Sequence, residues 1–325
     1  MEQILECVPE VSSDPLDILT RGYVPALIMY TAVQFDVFSH FTEPGLEEEV
    51  VGKLGLSPVL GAKFFNALVA IGLLEKNGGR YINTPLAQTY LVPDQPYYQG
   101  HLMNLLASQI EKWSKLPVVL KNYAGKEPEC GLPDSFYKNT FDENFVNAMA
   151  ETALLGSLQN TVKVITGLPE FSQAKKFLDL GGGPGLFAIA LAQKNKELMA
   201  TLFDLPQVTE VAQKFIDQYK MNNQVSVRPG NYLVDDLGQG YDLVLASDTF
   251  YPCQKESVYD VVRKIYHSLN LGGIFVSKHW VHISATSGHP FRNYPDSITE
   301  LSGQRFGNIR TPCRVNQKTG ILLIR

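Results

Sequence analysis

The spacing of apolar residues changes character twice along this chain, and each change marks a different kind of structure. Near the start, Asp14 is placed as an N-cap with Pro15 in the first turn, which predicts a helix from that point. From Pro25 to Phe41, Leu27, Tyr30, Val33, Val37 and Phe41 recur at helical spacing and predict a second helix. Met29, Ala32 and Phe38 put apolar side chains on other faces of it, more than a lone domain hides, which points to cover by a partner subunit. Leu46–Leu54 reads as a helix, Gly55-Leu56-Ser57-Pro58 as a turn with Ser57 the cap, and the stretch to about Ile71 as another helix. Leu73–Lys76 and Arg80–Ile82 then flank Asn77-Gly78-Gly79, a hairpin signal. Helix, turn, helix and hairpin make a winged-helix layout. A recognition helix needs basic and amide side chains to reach phosphates and base edges. Between Pro58 and Ile71 the only charge is Lys63, so nucleic-acid binding is the weaker reading.

Helical spacing returns over Gly100–Asn122 and Phe141–Thr166. After Gly167 short apolar runs alternate with helices. Phe177-Leu178 is followed by Leu186–Gln193, and the run ending at Asp204 by the helix Thr209–Lys220. The strand Val225–Arg228 and the strand Asp242–Ala246 come next, then the helix Ser257–Leu269, a turn at Asn270–Gly273 and the strand Ile274–Lys278. That alternation predicts an α/β fold with a doubly wound parallel sheet and a ligand above the carboxyl ends of its strands.

Composition narrows the class without changing it. The 325 residues are enough for about two domains, and 45% hydrophobic with 19% charged residues is an ordinary globular balance. A net charge of −5 argues against a polyanion as the main partner. Cys7, Cys130, Cys253 and Cys313 show no metal-ligand spacing and suit a reduced, cytoplasmic setting. The acidic start (Glu2, Glu6, Glu10) is not that of a secretory signal, and no apolar run reaches membrane-spanning length.

The candidate chemistry lies in Lys176–Asp204. An apolar run ends in Asp179, a glycine cluster follows (Gly181, Gly182, Gly183, Gly185), and a second run ends in Asp204. Glycines allow positive φ and close approach of a ligand to the backbone. An acid about 20 residues after the turn suits a pair of ribose hydroxyls. A dinucleotide site wants Gly-x-Gly-x-x-Gly, whereas here the spacing is Gly181-x-Gly183-x-Gly185 with Asp179 before it. A carboxylate there repels a pyrophosphate but suits an amino group. S-adenosylmethionine carries an ammonium and a sulfonium and no phosphate, so it is favoured.

Five stretches carry a resemblance: DLGGGPG at Asp179–Gly185, FDLPQV at Phe203–Val208, RPGNYL at Arg228–Leu233, YDLVLAS at Tyr241–Ser247 and LNLGGIFV at Leu269–Val276. In this order and spacing they resemble the class I S-adenosylmethionine-dependent methyltransferases, and more narrowly the small-molecule O-methyltransferases related to hydroxyindole, caffeate and polyketide enzymes. Tyr81–Leu102 and the segment from Trp113 to Pro128 are similar to the same family. The resemblance implies a Rossmann-like doubly wound sheet and an N-terminal winged-helix dimerisation domain, hence a homodimer. It implies three parts: 1–100 for dimerisation, 101–167 as a helical connector roofing the acceptor pocket, and 168–325 for cofactor binding and catalysis.

The resemblance also implies roles. Gly181 and Gly183 face the methionine part of the cofactor, with Asp179 beside them. Asp204 accepts the ribose hydroxyls and Leu205 packs on the adenine. Asn231 and Tyr232 stand where the family usually has Asp then Phe or Met, and Ser247 where it often has a Lys. Met103, Trp113, Phe145 and Met149, with His101, are pocket-lining candidates, Met149 foremost. The chain departs most at the general base. Many relatives have a His where this chain has Tyr251, and a supporting Glu where it has His279. A phenol with its ordinary pKa of about 10 is a poor base at neutral pH. Asp248, His279, His282 and His289 are further proton acceptors. The spacing of His279 and His282 raises a metal site, but no carboxylate or cysteine completes a set nearby, so no metal is expected. Gly307–Thr311 resembles the family's G-x-x-R-T, yet only fifteen residues follow Arg310, too few for the family's last helix and one of its final strands in full. The leading reading is methyl transfer to a small aromatic or polycyclic acceptor, at oxygen by preference and at carbon or nitrogen as alternatives. A relative that binds the cofactor without methylating, pericyclase-like or regulatory, and a winged-helix transcription regulator are the other two.

Overall fold

The computed structural model describes residues 11–122, 141–250 and 255–278, with the strand segments 314–316 and 321–324. The chain divides into two compact units, Met1–Leu116 and Pro117–Arg325.

In the first unit, α1 (Asp14–Arg21) has Ser13 rather than Asp14 at its N-cap, and α2 spans Tyr23–Gln34. The helix expected to continue to Phe41 stops there. Asp36 takes a left-handed φ of 51°, and a 3-10 turn, Val37–Phe41, follows. Val37, Phe38 and Phe41 of this turn are all fully buried in the core. Next come β1 (Gly45–Leu46), α3 (Glu47–Lys53), α4 (Pro58–Ala70), β2 (Leu74–Asn77) and β3 (Arg80–Asn83). The strands form an antiparallel sheet in the order β1-β3-β2. Gly78 and Gly79, at φ 55° and 80°, make the two-residue turn of the winged-helix hairpin. Tyr81 of β3 is fully buried against Phe41 and Phe65, with ring centroids 5.7 Å away in each case. Its hydroxyl is satisfied: it accepts from Lys76 Nζ at 2.7 Å and donates to Asn66 Oδ1 at 2.8 Å. α5 (Pro85–Tyr90) follows, and α6 (Gly100–Ser114) packs on α2. The helix expected over Gly100–Asn122 is in fact two, because α7 begins anew at Leu116 and runs to Asn122.

The second unit is built on a seven-stranded sheet. α8 (Glu143–Thr152), a π turn (Ala153–Ser157) and α9 (Leu158–Thr166) precede it. The helix expected over Phe141–Thr166 is interrupted at this π turn, where Gly156 has φ 113°. Then follow β4 (Lys176–Leu180), α10 (Leu186–Lys194), β5 (Met199–Asp204), α11 (Pro206–Gln218), β6 (Val225–Pro229), β7 (Tyr241–Ser247), α12 (Lys255–Ser268) and β8 (Leu269–Lys278). The sheet order is β6-β5-β4-β7-β8-β10-β9, with β4 to β8 all parallel. Chain order reverses between β4 and β7, the crevice where doubly wound folds bind ligands. β10 (Ile321–Ile324) and β9 (Arg314–Asn316) extend the sheet antiparallel beyond β8. The tail thus closes the sheet with two short strands, of three and four residues. Apolar cores lie on both faces of the sheet, with Phe177, Leu243 and Leu245 on one and Leu178, Leu180 and Val244 on the other. Strand residues thus alternate between two buried faces, as a parallel sheet covered by helices requires. Among the described residues no helix is long and apolar enough to cross a membrane, and no three metal-ligating side chains come together.

Candidate functional site

β4 delivers the chain into the glycine turn, which leads directly to α10. Gly181 and Gly183 have φ of 64° and 54°. At Gly181 a Cβ would stand 2.4 Å from the Thr249 side chain, so packing as well as conformation demands glycine. At Gly183 a Cβ would meet nothing, and there the left-handed backbone alone selects glycine.

Two acids hold this turn. Asp204, at the end of β5, accepts from the Gly183 amide at 2.8 Å and from the Leu205 amide at 2.7 Å. Asp179 is fully buried beneath the turn. Its Oδ2 accepts from the Ala188 amide in the first turn of α10 at 3.2 Å, and its Oδ1 has no partner among the described residues. Burial pushes the Asp179 carboxyl up to about 7, opposed by the Ala188 amide and aided by the charge of Asp204. Burial likewise lifts Asp204 to about 6, opposed by the Gly183 and Leu205 amides. Asp204 keeps one edge on an open cavity, where water screens it; Asp179 has no such edge.

The cavity above the turn has a volume of about 230 Å³. Gly181, Gly183, Asp204 and Leu205 line it, as do Asn231 and Tyr232 from the loop after β6 and Ser247 from the end of β7. α8 contributes Phe145 and Met149, and the π turn brings Ala153 and Ser157 to the same wall. The loop after β6 is held from behind by Lys264 of α12, whose ammonium donates to the carbonyls of Tyr232, Leu233 and Asp235 at 2.9–3.1 Å. Tyr232 in turn donates its hydroxyl to the Thr249 carbonyl at 2.9 Å, and Thr249 donates to the Leu180 carbonyl at 2.8 Å. One chain of hydrogen bonds thus joins α12, the β6 loop, the β7 loop and the end of β4. Asn231 uses its side-chain oxygen inside the loop, accepting from the Leu233 amide at 3.0 Å.

The cavity also carries a feature not read from the sequence. Lys278, the last residue of β8, donates to the Asp248 carboxylate just beyond β7, and both line the cavity. Asp248 was legible as a proton acceptor; its cation was not, because the pair is made by strand adjacency, with Ser247 opposite Lys278.

Of the expected site residues, Gly181, Gly183, Asp204, Leu205, Asn231, Tyr232, Ser247, Phe145 and Met149 come together around one cavity. Asp179 does not line it and supports the turn from below. Met103 packs against the apolar core of the first unit, Trp113 is 68% exposed on α6, and the His101 ring lies 5.9 Å from that of Tyr98. Tyr251 and His279, the expected catalytic positions, lie outside the described residues, as do His282 and His289.

The profile of the O-methyltransferase domain family matches residues 131–311, more than half of the chain. The chain belongs to that family. It is an S-adenosylmethionine-dependent methyltransferase of small molecules. It is 28% identical over 262 residues to the N,N-dimethyltransferase OxyT of Streptomyces rimosus, covering 79% of this chain and 75% of that one. It is 26% identical over 226 residues to the 3-hydroxy-5-methyl-1-naphthoate 3-O-methyltransferase of Streptomyces sahachiroi, covering 69% and 64%. The fold is that of human N-acetylserotonin methyltransferase solved in complex with S-adenosylmethionine, with a TM-score of 0.78 at 18% identity over 98% of this chain and 99% of that one.

The buried acids of this methyltransferase give its stability a pH signature. Both carboxyls are raised above the ordinary value of about 4, so between about pH 4 and 7 the folded state holds protons that the unfolded chain has released. Their contribution therefore favours folding at the acid end of that window and is lost as pH rises through it. Asp179→Asn is expected to flatten this decline, measured as urea midpoints from pH 4.5 to 7.5. A slope equal to that of the parent would mean that Asp179 is ionised throughout.

Proposed function

We propose that this methyltransferase acts on a small aromatic or polycyclic acceptor, favouring oxygen, with its cofactor lying across Gly181–Gly183, Asp204 and the β6 loop. The observation that carries this reading is the cavity above the glycine turn, walled by Phe145, Met149 and Tyr232. An aromatic side chain such as Phe145 suits a flat acceptor.

The residues fit the cofactor. Asp204 spends one lone pair of each oxygen on a backbone amide and keeps others for two hydroxyl donors. Beside the glycine turn the lining offers the Asp204 carboxylate, which disfavours a pyrophosphate there. When bound, S-adenosylmethionine supplies an electrophilic methyl group on a positively charged sulfur. The rest is done by the protein. Gly183 and Asp204 fix the nucleoside end, and Leu205 and Tyr232 offer apolar surface to the adenine. Phe145 and Met149 hold the acceptor ring and exclude water. Bringing nucleophile and methyl carbon into near-attack geometry is worth a large rate factor by itself. The relatives named above are an N,N-dimethyltransferase and an O-methyltransferase. A nitrogen acceptor therefore stays within the proposed class, with carbon as a further alternative. A reduced cytoplasmic setting belongs to the same reading.

The same proposal includes a homodimer formed through the first unit. Leu16, Ile18, Leu19 and Tyr23 on α1 and the start of α2 are 60–78% exposed, an apolar surface that a two-fold related copy can bury.

Two measurements check these readings. Asp204→Ala should weaken S-adenosylmethionine binding by roughly 1–3 kcal/mol, the cost of leaving hydroxyl partners unpaired; unchanged affinity in calorimetry would take Asp204 out of the site. Light scattering at micromolar concentration should give twice the mass of the chain, and Leu19→Glu with Tyr23→Glu should halve it. A parent protein that is monomeric at that concentration would defeat the dimer.

A further inference from the structure

We propose that Asp248 and Lys278 form a charge clamp for the hydroxyl of an aromatic acceptor, with Asp248 taking its proton and Lys278 holding the resulting oxyanion. The inference rests on the methyltransferase reading above and assigns the missing acid–base function of that site.

The pair has three features that a packing role does not explain. First, it is largely withdrawn from solvent: the Lys278 side chain is buried at 8% exposed, and that of Asp248 is partly buried at 25%. A buried ion pair rarely stabilises more than apolar residues of the same volume would, so its presence points to use. Second, both members line the cavity, and they do so among Phe145, Met149 and Phe187. The Lys278 ammonium lies 6.0 Å from the centre of the Phe187 ring. In such surroundings each charge acts strongly on whatever enters. Third, the backbone is arranged to present them. Asp248 takes a left-handed φ of 57°, and its amide donates to the Lys278 carbonyl at 2.8 Å. The ends of β7 and β8 are thereby locked together and both side chains are aimed at one point. Asp204, the cavity's other carboxylate, is committed to the glycine turn.

A hydroxyl placed between the two charges meets an acceptor for its proton and a donor for its oxygen. As the O–H bond breaks, the proton passes to the Asp248 carboxylate and the oxygen keeps the electron pair. That pair forms the new bond to the methyl carbon. The electrons of the broken carbon–sulfur bond stay on sulfur, and Asp248 later gives its proton to solvent. Lys278 lowers the cost of the oxyanion at the moment it is needed.

The test uses the full chain with S-adenosylhomocysteine bound and 4-nitrophenol as probe, read from the absorption of its anion. The parent protein should make the bound phenol about tenfold or more acidic, as a nearby cation does. Lys278→Met should abolish the shift, and Asp248→Asn should keep it. Asparagine tolerates the left-handed backbone at 248, so the turn conformation there is kept. In methyl transfer, Asp248→Asn should lose ~10²–10⁴ in turnover on 2-naphthol, and less than about tenfold on 4-nitrophenol, which ionises unaided. Calorimetry with S-adenosylhomocysteine should be unchanged in both variants. No acidity shift in the parent, an equal shift in Lys278→Met, or no transfer to either phenol would overturn the clamp while leaving the methyltransferase reading intact. A parent that bound no S-adenosylhomocysteine would remove the cofactor-site reading beneath it.

Discussion

A hydrogen bond from the Gly183 amide to the Asp204 carboxylate closes the glycine turn onto the neighbouring strand, and most of this site depends on it. The bond joins residues 21 apart in sequence at the ends of two adjacent parallel strands, β4 and β5. It requires Gly183 to sit in the left-handed region, Gly181 to pass close against Thr249, and Asp179 to sit beneath. The arrangement is costly. A fully buried carboxyl with one unpartnered oxygen lies under a second carboxylate, and burial raises both pKa values. Local strain and desolvation of this kind are what a binding site retains when the ligand, rather than the fold, benefits.

Around that turn the molecule adds supports in series. Lys264 fixes the β6 loop through three carbonyls, Tyr232 passes the constraint to Thr249, and Thr249 returns it to the end of β4. None of these bonds need touch a ligand to hold the cavity at a defined width. Beside them, β7 and β8 close on the Asp248–Lys278 pair. The strand ends therefore divide the work: β5 supports the turn, β6 leads into the aromatic loop, and β7 with β8 presents charge.

Much of this was legible in the residues. The glycine turn and the acid at its proper distance are local signals, as is the hairpin at Asn77-Gly78-Gly79, because each depends on backbone conformations that few residues adopt. Alternation of short apolar runs with helices was enough to place the parallel sheet. What escaped was set by single backbone angles or by strand register. Apolar periodicity continues through Asp36 and through Gly156, so the helix breaks at 36 and 156 left no mark on it. Asp179 was read as facing the ligand because its place in the turn was known and its burial was not. The ion pair of Asp248 and Lys278, 30 residues apart, exists only because β7 and β8 are neighbours, and no spacing rule predicts that.

The turn leaves Asp204 lone pairs for two hydroxyl donors, whose bonds favour its ionised form. That role is tested most directly by counting protons. Binding of S-adenosylhomocysteine, followed by calorimetry at pH 6 in buffers of different ionisation enthalpy, should release a fraction of a proton per site, because burial raises the Asp204 carboxyl to about 6 and new hydroxyl donors lower it. The release should fade by pH 8, where the carboxylate is already ionised. Binding at pH 6 with no proton exchange, or with proton uptake, would contradict the account.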